Sequence, residues 1–369
     1  MNTMTRTLAA AALLCAAASM QAEEKILWKA SAGKPGIHHQ AVAIASLADG
    51  NVVAAGMVGG EDEGSTPAIW LLDAAGAPQK EIALLPGRDG AAVRDVRVAR
   101  GAIVALLTTE EGPFLTAIDR EGNELYTRKV GDSSDWPQTI IPHGDGFLLA
   151  GGTGRGTARD ALLIDVGADG FVQWKRTYDR GHIDLFTDGF ATAEGLVIAG
   201  QSGEFRPTFA GNAWLAVINS RGDVLRERQW NGRDLRLAKI DDERFAAVYD
   251  RAFEFRQDVA VSLMKGDLTP AWTTPIQRAD TYRGSFYITA ASGTIEVAGS
   301  GNIDAKVWRL DGEGRVVSSW AETPSETQPW HMRANGMMRS GDATYVLTTI
   351  YDSKRDGMPA WRVGVVKMQ

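Results

Sequence analysis

The chain alternates short apolar runs with polar turns along almost its whole length. One combination returns regularly: an apolar run, then an aspartate or asparagine, then a glycine three residues later, as in AIWLLDAAG. The spacing between copies is 46 residues, apart from one interval of 54. Apolar runs separated by such turns predict β-strands. The copies, including two looser ones at Asp165 and Lys265, stand at Asp73, Asp119, Asp165, Asn219, Lys265 and Asp311.

Each repeat contains four strand-like pieces joined by turns, which we call a, b, c and d in chain order. A repeat of this length built only from strands is typical of a β-propeller, in which each repeat is one four-stranded blade. The sequence therefore predicts an all-β fold, a seven-bladed β-propeller with four-stranded antiparallel blades. The last blade lacks a strand d, and residues 25–31 resemble one. We expect residues 25–31 to pair with residues 361–368 and to close the ring, since closure removes exposed sheet edges.

The first 22 residues have the features of a secretory signal peptide. A positive charge at Arg6 precedes an alanine-rich apolar stretch that is too short to remain as a membrane anchor. We expect residues 1–22 to be removed and residues 23–369 to form a single β-propeller domain. The expected location is periplasmic or secreted, and no later segment is apolar enough to span a membrane.

The net charge and the cysteine content of the chain narrow the range of functions it could have. The chain has 46 Asp and Glu against 39 Lys and Arg, a net charge of −7. Such an acidic chain has no electrostatic basis for binding nucleic acid. Its single cysteine lies in the signal peptide, so the exported fold depends on its hydrophobic core rather than on disulfides. We expect a monomer.

Several tryptophans extend the pattern. Trp174, Trp230, Trp272 and Trp320 each follow one of the turns. In this the repeats resemble those of secreted bacterial propellers of the quinoprotein-like, short-repeat type. The resemblance covers the mature chain at the level of the repeat alone and implies the propeller fold. Because the distance from turn to tryptophan varies, we predict no quinone or other cofactor.

Polar residues collect where strand d of one repeat leads to strand a of the next. In a propeller these connections meet at one mouth of the central channel. Imidazole and guanidinium groups there would bind an anionic ligand, although solvated loops are also polar for no functional reason. The candidate residues are His39, Asp95, Gln138, His182, Arg236, Arg283, His331 and Arg333.

Aromatic residues mark a second candidate surface on the loops between strands b and c and beside the channel mouth. Exposed aromatic clusters are typical of protein-binding hot spots. The candidate residues are Trp136, Phe205, Phe209, Phe253, Phe255 and Trp330.

No sequence motif indicates a metal site. Acidic runs at residues 61–63 and 241–243 offer oxygen ligands for Ca²⁺ but do not match a calcium-binding loop. The sequence has no catalytic motif either. We therefore favour a binding module for an envelope protein or exported peptide, with an inhibitor or immunity-like protein as one form of it. The alternative is a hydrolase or lyase acting on a sugar or small anion at a channel mouth lined by His and Arg.

Overall fold

Strands and turns make up the described part of the protein. The computed structural model describes residues 22–23, 25–33, 37–59, 65–86, 88, 90–156, 158–181, 183–204, 210–253, 256–279, 285–291, 293–300, 304–322, 331–352 and 360–369. Within these ranges no helix is long and apolar enough to cross a membrane.

The strands follow one another closely in chain order. They are β1 (Ala22–Glu23), β2 (Ile26–Ala32), β3 (His38–Ser46), β4 (Val52–Gly59), β5 (Thr66–Leu72), β6 (Pro78–Ala83), β7 (Ala92–Ala99), β8 (Ala102–Thr109), β9 (Gly112–Ile118), β10 (Glu124–Lys129), β11 (Asp135–His143), β12 (Gly146–Arg155), β13 (Ala158–Val166), β14 (Val172–Tyr178), β15 (Ile183–Thr192), β16 (Gly195–Glu204), β17 (Ala210–Ile218), β18 (Val224–Asn231), β19 (Arg233–Lys239), β20 (Arg244–Phe253), β21 (Arg256–Lys265), β22 (Pro270–Ala279), β23 (Phe286–Ala291), β24 (Thr294–Ser300), β25 (Ala305–Leu310), β26 (Val316–Glu322), β27 (His331–Ser340), β28 (Ala343–Asp352) and β29 (Ala360–Met368).

Most strands pair antiparallel with their neighbours in the chain. Four-stranded sheets form from β3 to β6, from β7 to β10 and from β19 to β22. Strands β11 to β14 and β15 to β18 are two similar units, joined into one sheet by a single parallel bridge between Arg159 and Ile183. Strands β23 to β26 form another unit, with β1 added parallel to β26. This all-β fold with several four-stranded antiparallel sheets is consistent with a β-propeller.

Residues from the two ends of the chain share one sheet. Strand β2 pairs antiparallel with β29, and the sheet continues through β28 to β27. The sequence predicted this pairing from residues 25–31 and 361–368, and the observed strands begin and end within one residue of those bounds.

The turns between the last two strands of each unit explain the repeated motif. Asp73 accepts hydrogen bonds from the backbone N–H groups of Ala75 and Ala77 at 3.0 and 2.8 Å. Gly76 closes the turn with a φ of 88°, a conformation that glycine adopts without steric cost. The aspartate and the glycine of the motif therefore both stabilise this turn.

One copy of the motif starts later than its spacing predicts. The turn after β13 begins at Gly167, whose carbonyl accepts the N–H of Gly170 at 3.0 Å. Asp165 itself still belongs to the strand. Asp169 stabilises the turn instead by accepting the N–H of Phe171 at 3.2 Å. This looser copy is therefore the same hairpin with different loop residues.

The hydrophobic core lies between facing sheets rather than at one centre. One cluster joins Ile69 of the β3–β6 sheet to Leu107 of the β7–β10 sheet. Another joins Trp70 to Leu347 of the sheet that contains both chain ends. The middle strands bury both faces, whereas outer strands such as β6 and β14 are largely exposed. The first strands of successive units also pack against one another.

Candidate functional site

The first strands of the units, β3, β7, β11, β15, β19, β23 and β27, share an irregularity near their beginnings. In all of them except β23, the pairing with the next strand slips, which is a β-bulge. In β23, Tyr287 pairs with Ala298 as Asp188 of β15 pairs with Ala199. The equivalent positions, just after each slip, are Ala43, Asp95, Thr139, Asp188, Arg236, Tyr287 and Gly336.

These positions line one cavity of about 380 Å³. Arg94, Arg97 and Gln138 add further polar groups to its wall. A cavity of a few hundred Å³ has the size of a small-molecule site. Because six kinds of residue occupy the seven equivalent positions, the wall is chemically varied although the strands that form it repeat.

Asp95 is held by four donors and is only 6% exposed. One carboxylate oxygen accepts the N–H of Val96 and an N–H of Arg97, both at 2.8 Å. The other accepts the hydroxyl of Thr139 at 3.0 Å and the N–H of Ile140 at 2.8 Å. Since Thr139 and Ile140 belong to the first strand of the next unit, Asp95 ties two sheets together.

Asp188 ties two sheets in the same way with fewer partners. Its oxygens accept the N–H groups of Gly189 and Leu237, each at 2.8 Å. Burial raises the pKa of this carboxyl, and the charges of Arg236 and Arg97 and the two N–H bonds only partly oppose the shift. Its accessible surface is that of a half-buried residue because it faces the cavity, but protein surrounds the cavity and hinders solvation of the charge.

Arg236 and Tyr287 stand at neighbouring positions of the same wall. Arg236 donates a hydrogen bond from its guanidinium to the carbonyl of Thr187. Burial raises the pKa of Tyr287, against the opposing effects of Arg236 and of a hydrogen bond with Ser285. The phenol therefore stays protonated at neutral pH and can donate a hydrogen bond to a ligand.

The charges of the wall do not cancel. Arg97 is paired with Asp95, whose oxygens already accept four hydrogen bonds. Arg94 is exposed, with Thr108 as its hydrogen-bond partner at 2.8 Å. The wall therefore has two further guanidinium groups, those of Arg94 and Arg236, and one further carboxylate, that of Asp188. A protonated Asp188 makes the cavity more positive, which suits an anionic ligand.

The structure brings some predicted site residues together. Asp95, Gln138 and Arg236 all line the cavity. Arg333 lies apart from them in an adjoining cleft of about 400 Å³, where His38 is a neighbour.

His39 does not lie at a channel mouth. Its side chain is fully buried, with Nδ1 2.8 Å from the carbonyl oxygen of Ile37 and Nε2 3.6 Å from a carboxylate oxygen of Glu81. The ring packs 5.9 Å from that of Trp70. Side chains alternate between the two faces of a strand, so His38 reaches the cleft while His39 enters the core.

Trp136 is part of strand β11 and is half-buried. Its ring lies against Gly152 and beneath the guanidinium of Arg159, 5.1 Å from the ring centre. For Phe253 and His331 the structure describes the backbone alone. Six further predicted residues lie outside the described residues: His182, Phe205, Phe209, Phe255, Arg283 and Trp330.

Sequence reasoning missed five polar residues of the cavity. A signal for them existed, because each stands at a comparable distance before the next apolar run of its repeat. The bulges hide that relation, since they shift the inward-facing position by one residue. The missed residues are Arg94, Arg97, Thr139, Asp188 and Tyr287.

Neither candidate calcium run offers a described metal site. Asp241 accepts hydrogen bonds from the backbone and the guanidinium of Arg244, and Asp242 lies 2.7 Å from the ammonium of Lys239. Residues 61–63 lie outside the described ranges. Among the described side chains, no three potential ligands come close enough together to hold a metal ion.

Comparisons with known proteins add little. No protein-family model matches the sequence, and no curated protein does. Among solved structures, a chain from a structural and mechanistic analysis of two prolyl endopeptidases matches with a TM-score of 0.46 and 13% identity. The match covers 89% of this chain and 50% of that one, so this chain spans about half its length. At that level, the likeness supports neither an activity nor a substrate.

Proposed function

We propose that the sheets are the seven blades of a closed propeller of the short-repeat type. The first strands contact one another in chain order, and β27 contacts β3. Hydrophobic clusters lie between successive sheets, and the cluster around Trp70 and Leu347 lies between the last sheet and the first. The pairing of β2 with β29 joins the two chain ends within one sheet. We also propose that residues 1–22 direct export to the periplasm or the medium.

The function that follows is binding of a small carboxylate-bearing molecule at the mouth of the central channel. One observation carries this proposal: the cavity lined by Arg94, Arg236 and Tyr287 around a single incompletely bonded carboxylate, that of Asp188. Hydrogen bonds between guanidinium and carboxylate are among the strongest in proteins. A tyrosine hydroxyl and the amide of Gln138 provide further donors.

We favour binding over hydrolysis or elimination because the two carboxylates of the cavity wall accept backbone hydrogen bonds that join neighbouring sheets. Asp188 accepts from two backbone N–H groups at positions equivalent to those that donate to Asp95. Asp95 joins two sheets, and both of its oxygens are engaged. The enzyme alternative also requires histidines at the channel mouth, where they would transfer protons. Among the described side chains, no histidine lines the cavity.

Isothermal titration with succinate tests the proposal. We expect saturable binding by the mature protein and a loss of about tenfold to a hundredfold in Arg236→Gln, the range for a lost charged hydrogen bond. Arg120→Gln is the matched control, because Arg120 pairs with Asp49 on an exposed turn far from the cavity. Binding that is equal in both variants, or equally tight binding of neutral succinamide, would exclude the cavity as an anion site.

The predicted protein-binding surface remains a prediction. Four of its residues, Phe205, Phe209, Phe255 and Trp330, lie outside the described ranges, so no contact of theirs supports it. An affinity pull-down from envelope extract tests it independently of the cavity. The control is a variant in which Phe205, Phe209, Phe253 and Phe255 are replaced by alanine.

A further inference from the structure

A second polar cavity lies beside the first, between strands of the first and last sheets. It has a volume of about 400 Å³. Its wall includes the exposed side chains of Gln40 and Arg333 and the half-buried side chains of Met57 and Trp361. We call it the side cleft.

We call the cavity that contains Arg236 and Asp188 the channel cavity. The side cleft and the channel cavity lie along the same two strands. On β3, Gln40 lines the cleft and Val42 lines the cavity. On β27, Asn335 lines the cleft and the next residue, Gly336, lines the cavity. Two residues of a strand span roughly 7 Å. A ligand only slightly longer than one amino acid therefore reaches from one space into the other.

Asn335 fixes the junction between the two spaces. Its side-chain amide donates to the carbonyl of Ala41 at 2.9 Å and to the hydroxyl of Thr349. Both amide hydrogens are thus engaged within the protein. None of the described residues donates to its carbonyl oxygen, which remains an acceptor for the N–H of a ligand.

The chemistry changes along this path. The channel cavity presents the guanidinium groups of Arg94 and Arg236. The junction presents the amides of Asn335 and Gln40, which match the donor and acceptor of a peptide group. Beyond it, Met57 and Trp361 provide a sulfur and an aromatic surface suited to an apolar side chain.

We propose that the ligand is the C-terminal end of a peptide. Its terminal carboxylate binds in the channel cavity, its last peptide groups bind at Asn335 and Gln40, and the side chain before the last residue packs on Met57 and Trp361. This inference rests on the proposed anion site and adds the substrate class to it.

Titrations with three probes test it: N-acetyl-alanine, N-acetyl-Ala-Phe-Ala and the C-terminal amide of that tripeptide. We expect the tripeptide acid to bind at least tenfold more tightly than N-acetyl-alanine, and the amide to bind at least tenfold more weakly than the acid. Gln40→Ala should weaken the binding of both acids, because N-acetyl-alanine already carries the last peptide group. Met57→Ala should remove the advantage of the tripeptide and leave N-acetyl-alanine unaffected, because that probe has no side chain to pack there. Gln173→Ala, on an exposed outer strand, is the matched control.

The other outcomes separate the two claims. If N-acetyl-alanine binds as tightly as the tripeptide, the side cleft is no subsite, while the anion site stands. If the amide binds as tightly as the acid, the terminus is not what the protein recognises, and the inference fails. If no probe and no succinate binds, the proposed function and this inference both fail.

Discussion

Asp95 and Asp188 occupy equivalent positions on two sheets, yet their surroundings differ. Each accepts the N–H of the following residue and the N–H of a residue on the next sheet's first strand, all at 2.8 Å. Asp95 adds a guanidinium and a hydroxyl. Near Asp188 the guanidinium of Arg236 donates to a carbonyl instead. The comparison teaches that a carboxylate at this position joins two sheets, and that the neighbouring side chains decide whether it keeps capacity to bind a ligand.

Removing the better-bonded carboxylate should have the largest effect. Asp95→Ala leaves the buried N–H groups of Val96 and Ile140 without this acceptor and removes the ionic partner of the half-buried Arg97. We therefore expect the free energy of unfolding to fall by about 3–5 kcal/mol. Urea denaturation measures it. Asp95→Asn, which keeps an acceptor, should lose less. A loss below about 1 kcal/mol in the alanine variant would mean that Asp95 does not tie the sheets together.

Asp250 provides a reference for the pH effect of a buried carboxyl away from the cavity. Burial, together with the charge of Asp234 and against that of Arg233, raises its pKa to about 7. A group whose pKa is raised in the folded state stabilises the protein below its unfolded-state pKa. This stabilisation is lost as the pH rises through the folded-state pKa. We expect the free energy of unfolding to fall between about pH 4 and pH 7, by at most about 4 kcal/mol.

Asp250→Asn removes the titrating group and should flatten that slope in urea denaturation measured across the same pH range. An unchanged slope would show that Asp250 does not carry the effect. The direction for Asp188 is the same, so the double variant Asp188→Asn/Asp250→Asn separates the two contributions.

The sequence predicted the repeat and the turns because those depend on local patterns. It predicted the pairing of the chain ends because the last repeat lacks a strand d and residues 25–31 resemble one. Alternating apolar residues and turn residues act within a few positions of one another. It located the hairpin near Asp165 only to within two residues, since the turn begins at Gly167. It also placed His39 among the candidate residues of the channel mouth, whereas that side chain is buried and the neighbouring His38 lines the cleft.

The cavity could be predicted only in part from the sequence. Asp95, Gln138 and Arg236 were found because the sequence places them in the connections before the first strands, although in the structure they belong to those strands. Asp188 and Tyr287 were missed, since the inward-facing position depends on how the strands pair, with a bulge in β15 and without one in β23.

Asp188→Asn should cost less stability than Asp95→Asn, about 1 kcal/mol or less, because fewer bonds depend on the charge. Its effect on binding is the sharper test. An ionised Asp188 repels an anion, so succinate affinity should fall as pH rises through the pKa of this carboxyl. The other charged and titratable groups around it are Arg97, Arg236 and Tyr287, and burial raises the pKa of Tyr287.

Succinate itself also ionises between pH 4 and pH 8, so the Asp188→Asn variant and the unmodified protein are compared at each pH. The affinity of the variant relative to that of the unmodified protein should rise as Asp188 ionises. Lys239→Gln, at an exposed position at the far end of β19, is the control and should retain the pH dependence. If the variant keeps the full dependence, another group controls the charge of the cavity.

The smallest expected effect separates the two sites through their threonines. Thr139 donates to Asp95 at 3.0 Å, whereas Thr187 donates to the carbonyl of Leu235 at 2.8 Å and leaves Asp188 alone. Each Thr→Val change should cost about 1 kcal/mol by itself. In urea denaturation, Thr139→Val should cost clearly less when combined with Asp95→Asn, because both changes weaken one bond. Thr187→Val combined with Asp188→Asn should be additive, and coupling there would show that the two carboxylates are bonded more alike than their hydrogen bonds indicate.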